Sequence, residues 1–331
     1  MSAVRPAGIR AARPAADSAL RRAFRRSLPA RIGATLVGLF VLVALLAPLL
    51  APPQGNCRRA LGMVEGQIYP GPVAYLREVI LAPGACLQMP RLGFAAQPKP
   101  PDASAPLGRV NGYDIRYGLV WGTRTAFFLG ITVLAITVTV GGLIGLAAGF
   151  FGGILDDVLM RLTDVTFAFP GLVLVLVLVA ALGPGLQNII LALSLVSWAG
   201  LARVLRSEVL RLREQEFVAA AQSLGGSRSR IALRHVLPNA LGPLFSLVVL
   251  EMGSLPIVAG ALSFLGLGTP LGFADWGQLI ALAQKWIQGP PGQPFAYWYV
   301  TLFPGLCIAL YSLGWNLLGD ALGEGLDPRN R

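Results

Sequence analysis

The sequence predicts an all-α, polytopic membrane protein, and three observations predict it. Hydrophobic residues make up 55% of the 331 positions and charged residues only 13%, about half the roughly 25% usual in a soluble domain. The charges gather between long uncharged stretches instead of spreading along the chain, as in proteins that cross a bilayer several times. Six such stretches, residues 32–52, 126–150, 165–183, 187–205, 241–266 and 296–318, approach the ~20 helical residues that a hydrocarbon core of about 30 Å requires. Backbone polar groups in lipid must pair within their own segment, so each is expected to be a helix.

The first element is a basic segment, residues 1–31, in which Arg5, Arg10, Arg13, Arg21, Arg22, Arg25, Arg26 and Arg31 face only Asp17. With a formal net charge of +11, such an arm resembles those that bind nucleic acid. It runs directly into an apolar stretch, however, where arginines mark the cytoplasmic flank of a first span, so no nucleic-acid partner is read from it. Ile32–Leu50, with 19 residues, exceeds the apolar core of a cleaved signal peptide, about 7–15 residues, and is read as a retained helix.

Residues 53–125 form a long extracytoplasmic loop rich in proline, glycine and polar residues ("APPQGN", "QPKPPDASAP"), and irregular structure is expected. Cys57 and Cys86 both fall in this loop, on a side that can be oxidising. Whether they pair is left open by the sequence; a bridge would close about 30 residues and constrain the loop by roughly 3–4 kcal/mol in the chain-entropy picture. Cys307 lies in the sixth span.

The remaining spans make a core of residues 126–318. Gly141, Gly145 and Gly149 recur every fourth residue in the second span, a spacing of small residues that lets another helix approach closely in lipid. Asp156, Asp157 and Asp164 cluster near Arg161, which reads as a solvated or paired corner at a span end. Between spans four and five, Arg203, Arg206, Arg211, Arg213, Arg228, Arg230 and Arg234 form a second basic region. Four spans separate it from the N-terminal arginines, so both belong on the cytoplasmic side, as do both termini and the tail 319–331. On the opposite side, Thr269–Pro294 carries only Asp275 and Lys285. Its stretch "DWGQLIALAQKWI" places Leu279, Ala283, Trp286 and Ile287 on one helical face, and Trp276 and Trp286 suggest a short helix lying at the outer interface.

One polar passage, "EFVAAAQSLGGSRSRIALRHVLPNALGPL", interrupts the apolar spans and belongs to a cytoplasmic segment 206–240. Leu205, Val209 and Leu212, then Phe217, Ala220, Ala221 and Leu224, follow helical spacing. Gly225-Gly226 suits a helix stop, Ser227 or Ser229 can cap a second short helix, and Pro238 closes or kinks it. The expected product is a helical pair with a small-residue face, offered to another protein's groove.

At this passage the chain resembles the permease subunits of ATP-binding-cassette importers of the dipeptide/oligopeptide/nickel type. Their coupling motif runs E-A-A, three residues, G, nine residues, I-x-L-P. Here Ala219-Ala220-Ala221 precede Gly225, and His235-Val236-Leu237-Pro238 fill the last slot. Ala219 stands where the motif has glutamate, with Glu216 upstream. "ARIGATLVGLFVLVALLAPLLAP", "GFFGGILDDVLMRLTDVTFAFPGL", "ALSFLGLGTP" and "NLLGDALGEGLDPRNR" are similar to further family stretches and favour the C-type member of the two unlike permeases. Two places depart from the pattern: "PLGRVNGYD", Pro106 to Asp114, is shorter than its usual counterpart, and Ala259 replaces a common glutamate.

The resemblance implies a homologous permease as partner, two ATPase subunits, an extracytoplasmic solute-binding protein and surrounding lipid in the inner cell membrane, with Glu216, Ala219, Ala220, Ala221, Gly225, His235, Leu237 and Pro238 receiving the ATPases. The chain has no phosphate-binding G-x-x-x-x-G-K-[ST] loop, since its only lysines are Lys99 and Lys285. ATP and Mg are therefore expected on the partner ATPases, with no cofactor, metal or catalytic residue on this chain. The lone His235 is read as packing or capping. Glu251, near the middle of span five, is costly in lipid, roughly 2.5–3.5 kcal/mol on insertion scales for an acid; it points either to the solute path or to a hydrogen bond with the sister permease. The rival class, an ion-gradient-driven carrier or channel, predicts several intramembrane charges and broken helices.

Overall fold

The structure is a computed structural model and describes residues 27–63, 67–69, 71, 84–93 and 97–326. Most of the basic arm, residues 1–26, and the end of the tail, residues 327–331, lie outside the described residues.

Helix α1 (Leu28–Leu45) starts where the Ser27 hydroxyl accepts a hydrogen bond from the Ala30 N–H, and Pro29 in its first turn has no N–H to leave unpaired. Short helices α2 (Ala47–Leu50) and α3 (Asn56–Ala60) follow, then a 3₁₀ turn, Gly84–Leu87. Strands β1 (Arg109–Val110) and β2 (Tyr113–Asp114) pair antiparallel around Asn111 and Gly112. Both turn residues have positive φ, 51° and 82°, the conformation of a two-residue hairpin turn that Asn-Gly favours. Asp114 then caps α4 (Ile115–Phe151) by accepting from the Arg116 N–H at 2.8 Å.

Helix α4 therefore begins at Ile115, not at residue 126 where apolarity alone starts the span. Its 37 residues reach about 55 Å, well beyond a hydrocarbon core of about 30 Å. The third span is also altered. Instead of one helix over 165–183, there are α5 (Gly153–Phe167) and α6 (Gly171–Leu182), bent by 83° at a break. Pro170 explains it: proline cannot donate to the helix and disfavours helical backbone at the residue before it. Helix α7 (Leu186–Arg213) runs on past residue 205 as one continuous rod, so the segment 206–240 starts inside a helix. Then come α8 (Glu216–Ser223), α9 (Arg228–Ile231), a π turn (Ala232–Val236) and α10 (Leu237–Phe264). The last elements are α11 (Trp276–Ala283), a 3₁₀ turn (Gln284–Trp286) and α12 (Trp298–Leu326), which carries helix into the tail. Among the described residues, five helices are long and apolar enough to cross a membrane, with the α5–α6 pair as a sixth if counted as one span.

The side chains pack into two main cores. The first holds the large aromatic rings among many aliphatic side chains, and Phe40, Tyr117, Trp121, Trp276, Tyr299 and Tyr311 bring α1, α4, α11 and α12 together. Trp276 lies 5.4 Å from Tyr311 and 5.6 Å from Phe40, ring centre to ring centre. The second is aliphatic, built from Leu146, Leu201, Leu205, Val209, Leu212, Val218, Ile231, Val236 and Leu244.

Helix α11 corrects the interfacial-helix expectation. Trp276, Leu279 and Ala283 are buried, Trp286 is half-buried and Ile287 is exposed. Glycines on its neighbours make the socket: a Cβ on Gly122 would sit 2.9 Å from the Trp276 ring, and one on Gly118 3.0 Å from Leu279. The Trp276 indole donates to the Leu119 carbonyl and the Thr125 hydroxyl to the Ala274 carbonyl, at 3.0 and 2.7 Å. Asp275 is half-buried and caps α11, accepting from the Gln278 N–H and from the Ser263 and Thr269 hydroxyls. Desolvation raises its carboxyl pKa above the ordinary value, against the opposing pull of these hydrogen bonds.

Candidate functional site

The passage 216–238 is held at the ends of α7 and α10, and the aliphatic core decides which of its faces is free. Leu205, Val209 and Leu212 carry one side of α7 into that core. After Arg213 the chain turns at Glu214 and Gln215, and α8 starts with the Val218 N–H donating to the Gln215 carbonyl. Val218 is only 1% exposed and joins the core together with Ile231, Ala232 and Val236.

That rotation differs from the face read in the sequence. Ala221 packs against the core, but Phe217 and Ala220 are exposed and Leu224 is 89% exposed. The branched Val218 is the residue of α8 buried in that core, and Phe217, Ala219 and Ala220 point away. Of the eight motif residues, Glu216, Ala219, Ala220, Gly225, His235 and Pro238 are exposed; Ala221 and Leu237 are half-buried.

The helix stop is built as glycine chemistry requires. Gly225 adopts a φ of +77°; its N–H reaches the Gln222 carbonyl, and the Gly226 N–H reaches back to Ala221. This is the paired pattern of a Schellman end. Ser227 stands at the start of α9 without a side-chain cap. Pro238 neither closes nor ends a helix: it lies in the first turn of α10, just after the π turn, where its missing N–H is tolerated. The His235 backbone carbonyl accepts from Asn239 Nδ2 at 2.6 Å.

Behind this surface, α7 is tied to α4 and α5. A Cβ on Gly141, Gly145 or Gly149 would lie 2.6, 2.5 or 2.8 Å from the carbonyl oxygens of Trp198, Ala202 and Arg206. The two backbones thus touch along both four-residue series, an approach that only glycine permits. Arg206 makes a bidentate pair with Asp156 at 2.5 and 2.6 Å, and Arg203 bonds Asp164 at 2.8 Å while stacking on Phe167. Arg213 donates to the Gly149 carbonyl. Asp156 and Asp164 of the acidic cluster are therefore paired with α7 arginines and not with Arg161.

Glu251 lies in α10, with one carboxyl oxygen buried and without a hydrogen-bond partner among the described residues. Cys57 and Cys86, both fully buried, form a disulfide. The adjoining strand residues hold α11 in place: the Ala274 N–H donates to the Leu87 carbonyl and the Met89 N–H to Gly272.

Comparison with known proteins agrees with this architecture. Residues 141–331 match the family described as "Binding-protein-dependent transport system inner membrane component". The dipeptide transport system permease protein DppC of Alkalihalophilus pseudofirmus is 38% identical over 218 residues, covering 66% of this chain and 69% of the relative. The oligopeptide transport system permease protein OppC of Bacillus subtilis is 34% identical, with coverage of 70% and 74%. The glutathione transport system permease protein GsiD of Pectobacterium atrosepticum is 34% identical, with coverage of 66% and 70%. With its multiple apolar helices and this match over more than half its length, the chain belongs to the inner membrane component family of binding-protein-dependent transport systems, and is a multi-pass membrane permease.

Proposed function

We propose that this permease is one half of the pathway of an ATP-driven importer for peptides or a related small solute such as nickel, and that α8 receives force from separate ATPase chains. The observation that carries the coupling role is the two-sidedness of α8. Its outer side presents Phe217, Ala219, Ala220 and Leu224, while Val218 on its inner side is buried in the aliphatic core to which α4, α7 and α10 also contribute side chains. A push on the exposed side is thereby delivered to a core that three long helices share. Small residues let a partner helix or groove come close, as the resemblance to the importer motif implies.

Two ATPases bind on this face, a homologous permease completes the pathway, and a solute-binding protein docks on the opposite side of the inner membrane. Arginine placement supports a cytoplasmic side for this face and for both termini. The names of the dipeptide, oligopeptide and glutathione relatives support a peptide-class solute.

The test is Ala220→Glu in the full complex reconstituted in proteoliposomes with ATP and binding protein. Ala220 is exposed, so folding is retained, and solute uptake per ATP hydrolysed should fall at least ~10-fold, the equivalent of 1.4 kcal/mol of coupling. Unchanged uptake would refute the coupling role. Uptake by this chain alone, driven by an ion gradient, would establish the rival carrier mechanism instead.

A further inference from the structure

The position of the Cys57–Cys86 bridge carries an inference about how one end of the molecule is assembled. Cys57 belongs to α3, and Cys86 to the 3₁₀ turn that follows it. Both arms of the bridge are held by α4. The Trp121 indole donates to the Ala51 carbonyl ahead of α3, and the Tyr117 hydroxyl donates to the Cys86 carbonyl, each at 3.0 Å. The two rings are stacked with their centres 5.7 Å apart, so one aromatic pair receives both arms.

Beyond Cys86 the chain runs on as a strap, residues 87–92, that fixes the approach to α11. The Ala274 N–H donates to the Leu87 carbonyl at 2.6 Å, and the Met89 N–H to the Gly272 carbonyl at 2.7 Å. Ala274 directly precedes Asp275, the cap of α11. On its other side the strap meets the hairpin ahead of α4, where the Leu92 N–H donates to the Gly112 carbonyl at 2.8 Å. Met89 also packs on α4, since a Cβ on Gly118 would lie 2.6 Å from its sulfur. The strap pairs with its neighbours through isolated bridges, Gln88 with Phe273 and Arg91 with Tyr113. Even a full two-stranded hairpin is marginal by itself in water, so single bridges need another restraint. The disulfide supplies it.

Burial sets the order of events. Both cysteines are 0% exposed and lie in the same core as Leu87, Met89, Tyr117 and Trp121. Thiol–disulfide exchange requires access to the sulfur under attack, and a fully buried cysteine is inert. A disulfide donor therefore has to reach the pair before the strap closes over it.

We propose that the Cys57–Cys86 bridge is an assembly latch: a disulfide donor on the outer side oxidises the pair first, and the bridged chain then seats α11. One cysteine thiolate attacks the donor's disulfide and expels one donor sulfur as a thiolate. The second cysteine thiolate then displaces the other donor sulfur from the mixed disulfide, so the pair gives up two electrons and two protons and the donor is left as two thiols. The far end takes no part, because α8 packs into a separate aliphatic core. The donor's location rests on the outer placement of this loop in the reading proposed above; the latch itself does not.

The experiment synthesises the full chain, in a Cys307→Ala background, into lipid nanodiscs with reductant present. Portions then receive glutathione disulfide as the donor, and hydrogen exchange is followed with thiol alkylation. In the reduced chain both thiols should alkylate, and amides of residues 272–283 should exchange at least ~10-fold faster than in the bridged chain, with α8 equal in both. Glutathione disulfide should close the bridge and restore the protection, and the bridge should then resist added reductant. The Cys57→Ser/Cys86→Ser variant should behave as the reduced chain does. If residues 272–283 are as protected in the reduced chain as in the bridged one, α11 seats without the bridge and the latch is overturned. Equal loss of protection at α8 overturns it too, since the bridge would then support the whole chain. In cells, Cys86 of the Cys57→Ser variant should react with a membrane-impermeant maleimide from outside. Reaction from the cytoplasmic side alone would overturn the outer placement and the donor's location, while the nanodisc result still decides the latch.

Discussion

The aromatic and aliphatic cores differ in what they allow to move. Around Trp276 the contacts are directional: two indoles each donate to a backbone carbonyl, at 3.0 Å, and a threonine hydroxyl pins the approach to α11. Edge-on rings and buried hydrogen bonds have one good geometry. Around Val218 the core is formed by Leu, Val, Ile and Ala side chains, whose dispersion contacts are many, weak and non-directional. One end fixes α1, α4, α11 and α12 through directional contacts, and at the other α8 and the π turn meet α7 and α10 through non-directional ones. The disulfide stands with the directional end.

This contrast can be broken first at its strongest point. Trp276→Ala should destabilise by about 3–5 kcal/mol, because it removes a ring and a hydrogen bond and leaves a cavity. Thermal unfolding in detergent checks this, and hydrogen exchange should show lost protection at α11 and the start of α4 while α8 is unchanged. Equal loss at both ends would mean that the two cores are one cooperative body.

A smaller effect is expected at the seam. Gly145→Ala would place a methyl group 2.5 Å from the Ala202 carbonyl, forcing α4 and α7 apart at a cost of about 1–3 kcal/mol. Chemical denaturation measures it; Gly142→Ala, where a Cβ meets open space, is the matched control and should be close to neutral. A seam that accepts both alike would not depend on glycine.

The gentlest probe is pH. Burial raises the Asp275 carboxyl above its ordinary range, so its folded pKa exceeds the unfolded value of about 3.9. Its contribution to stability is then fully present below that unfolded value and is lost as pH rises through the folded pKa. Wild type should lose melting temperature relative to Asp275→Asn as pH increases from about 4 towards neutral, and indistinguishable slopes would show that Asp275 is not the group responsible.

Much of the architecture was readable residue by residue. Long uncharged runs located the spanning helices, and Gly225-Gly226 marked the stop of α8. The spacing of Gly141, Gly145 and Gly149 anticipated close approach and could not name α7 as the helix approached. Other features had signals that apolarity masked: the Asn111-Gly112 pair marks a hairpin, Asp114 marks the start of α4, and Pro170 marks the break in the third span. Helix α11 misled because Trp276 and Trp286 match interfacial anchors, while its burial depends on glycines in α4 and α10 far away in the chain.

By itself, the sequence determined that the chain must live in a membrane, roughly where its apolar runs lie, and where α8 stops, because those outcomes follow from local hydropathy and backbone preference. Tertiary structure alone decided that Val218 turns inward and Leu224 outward, that Asp156 meets Arg206 and not Arg161, and that α11 is swallowed between its neighbours. Such choices compare packing on opposite sides of one helix, and the competing surfaces are brought together only when distant segments meet.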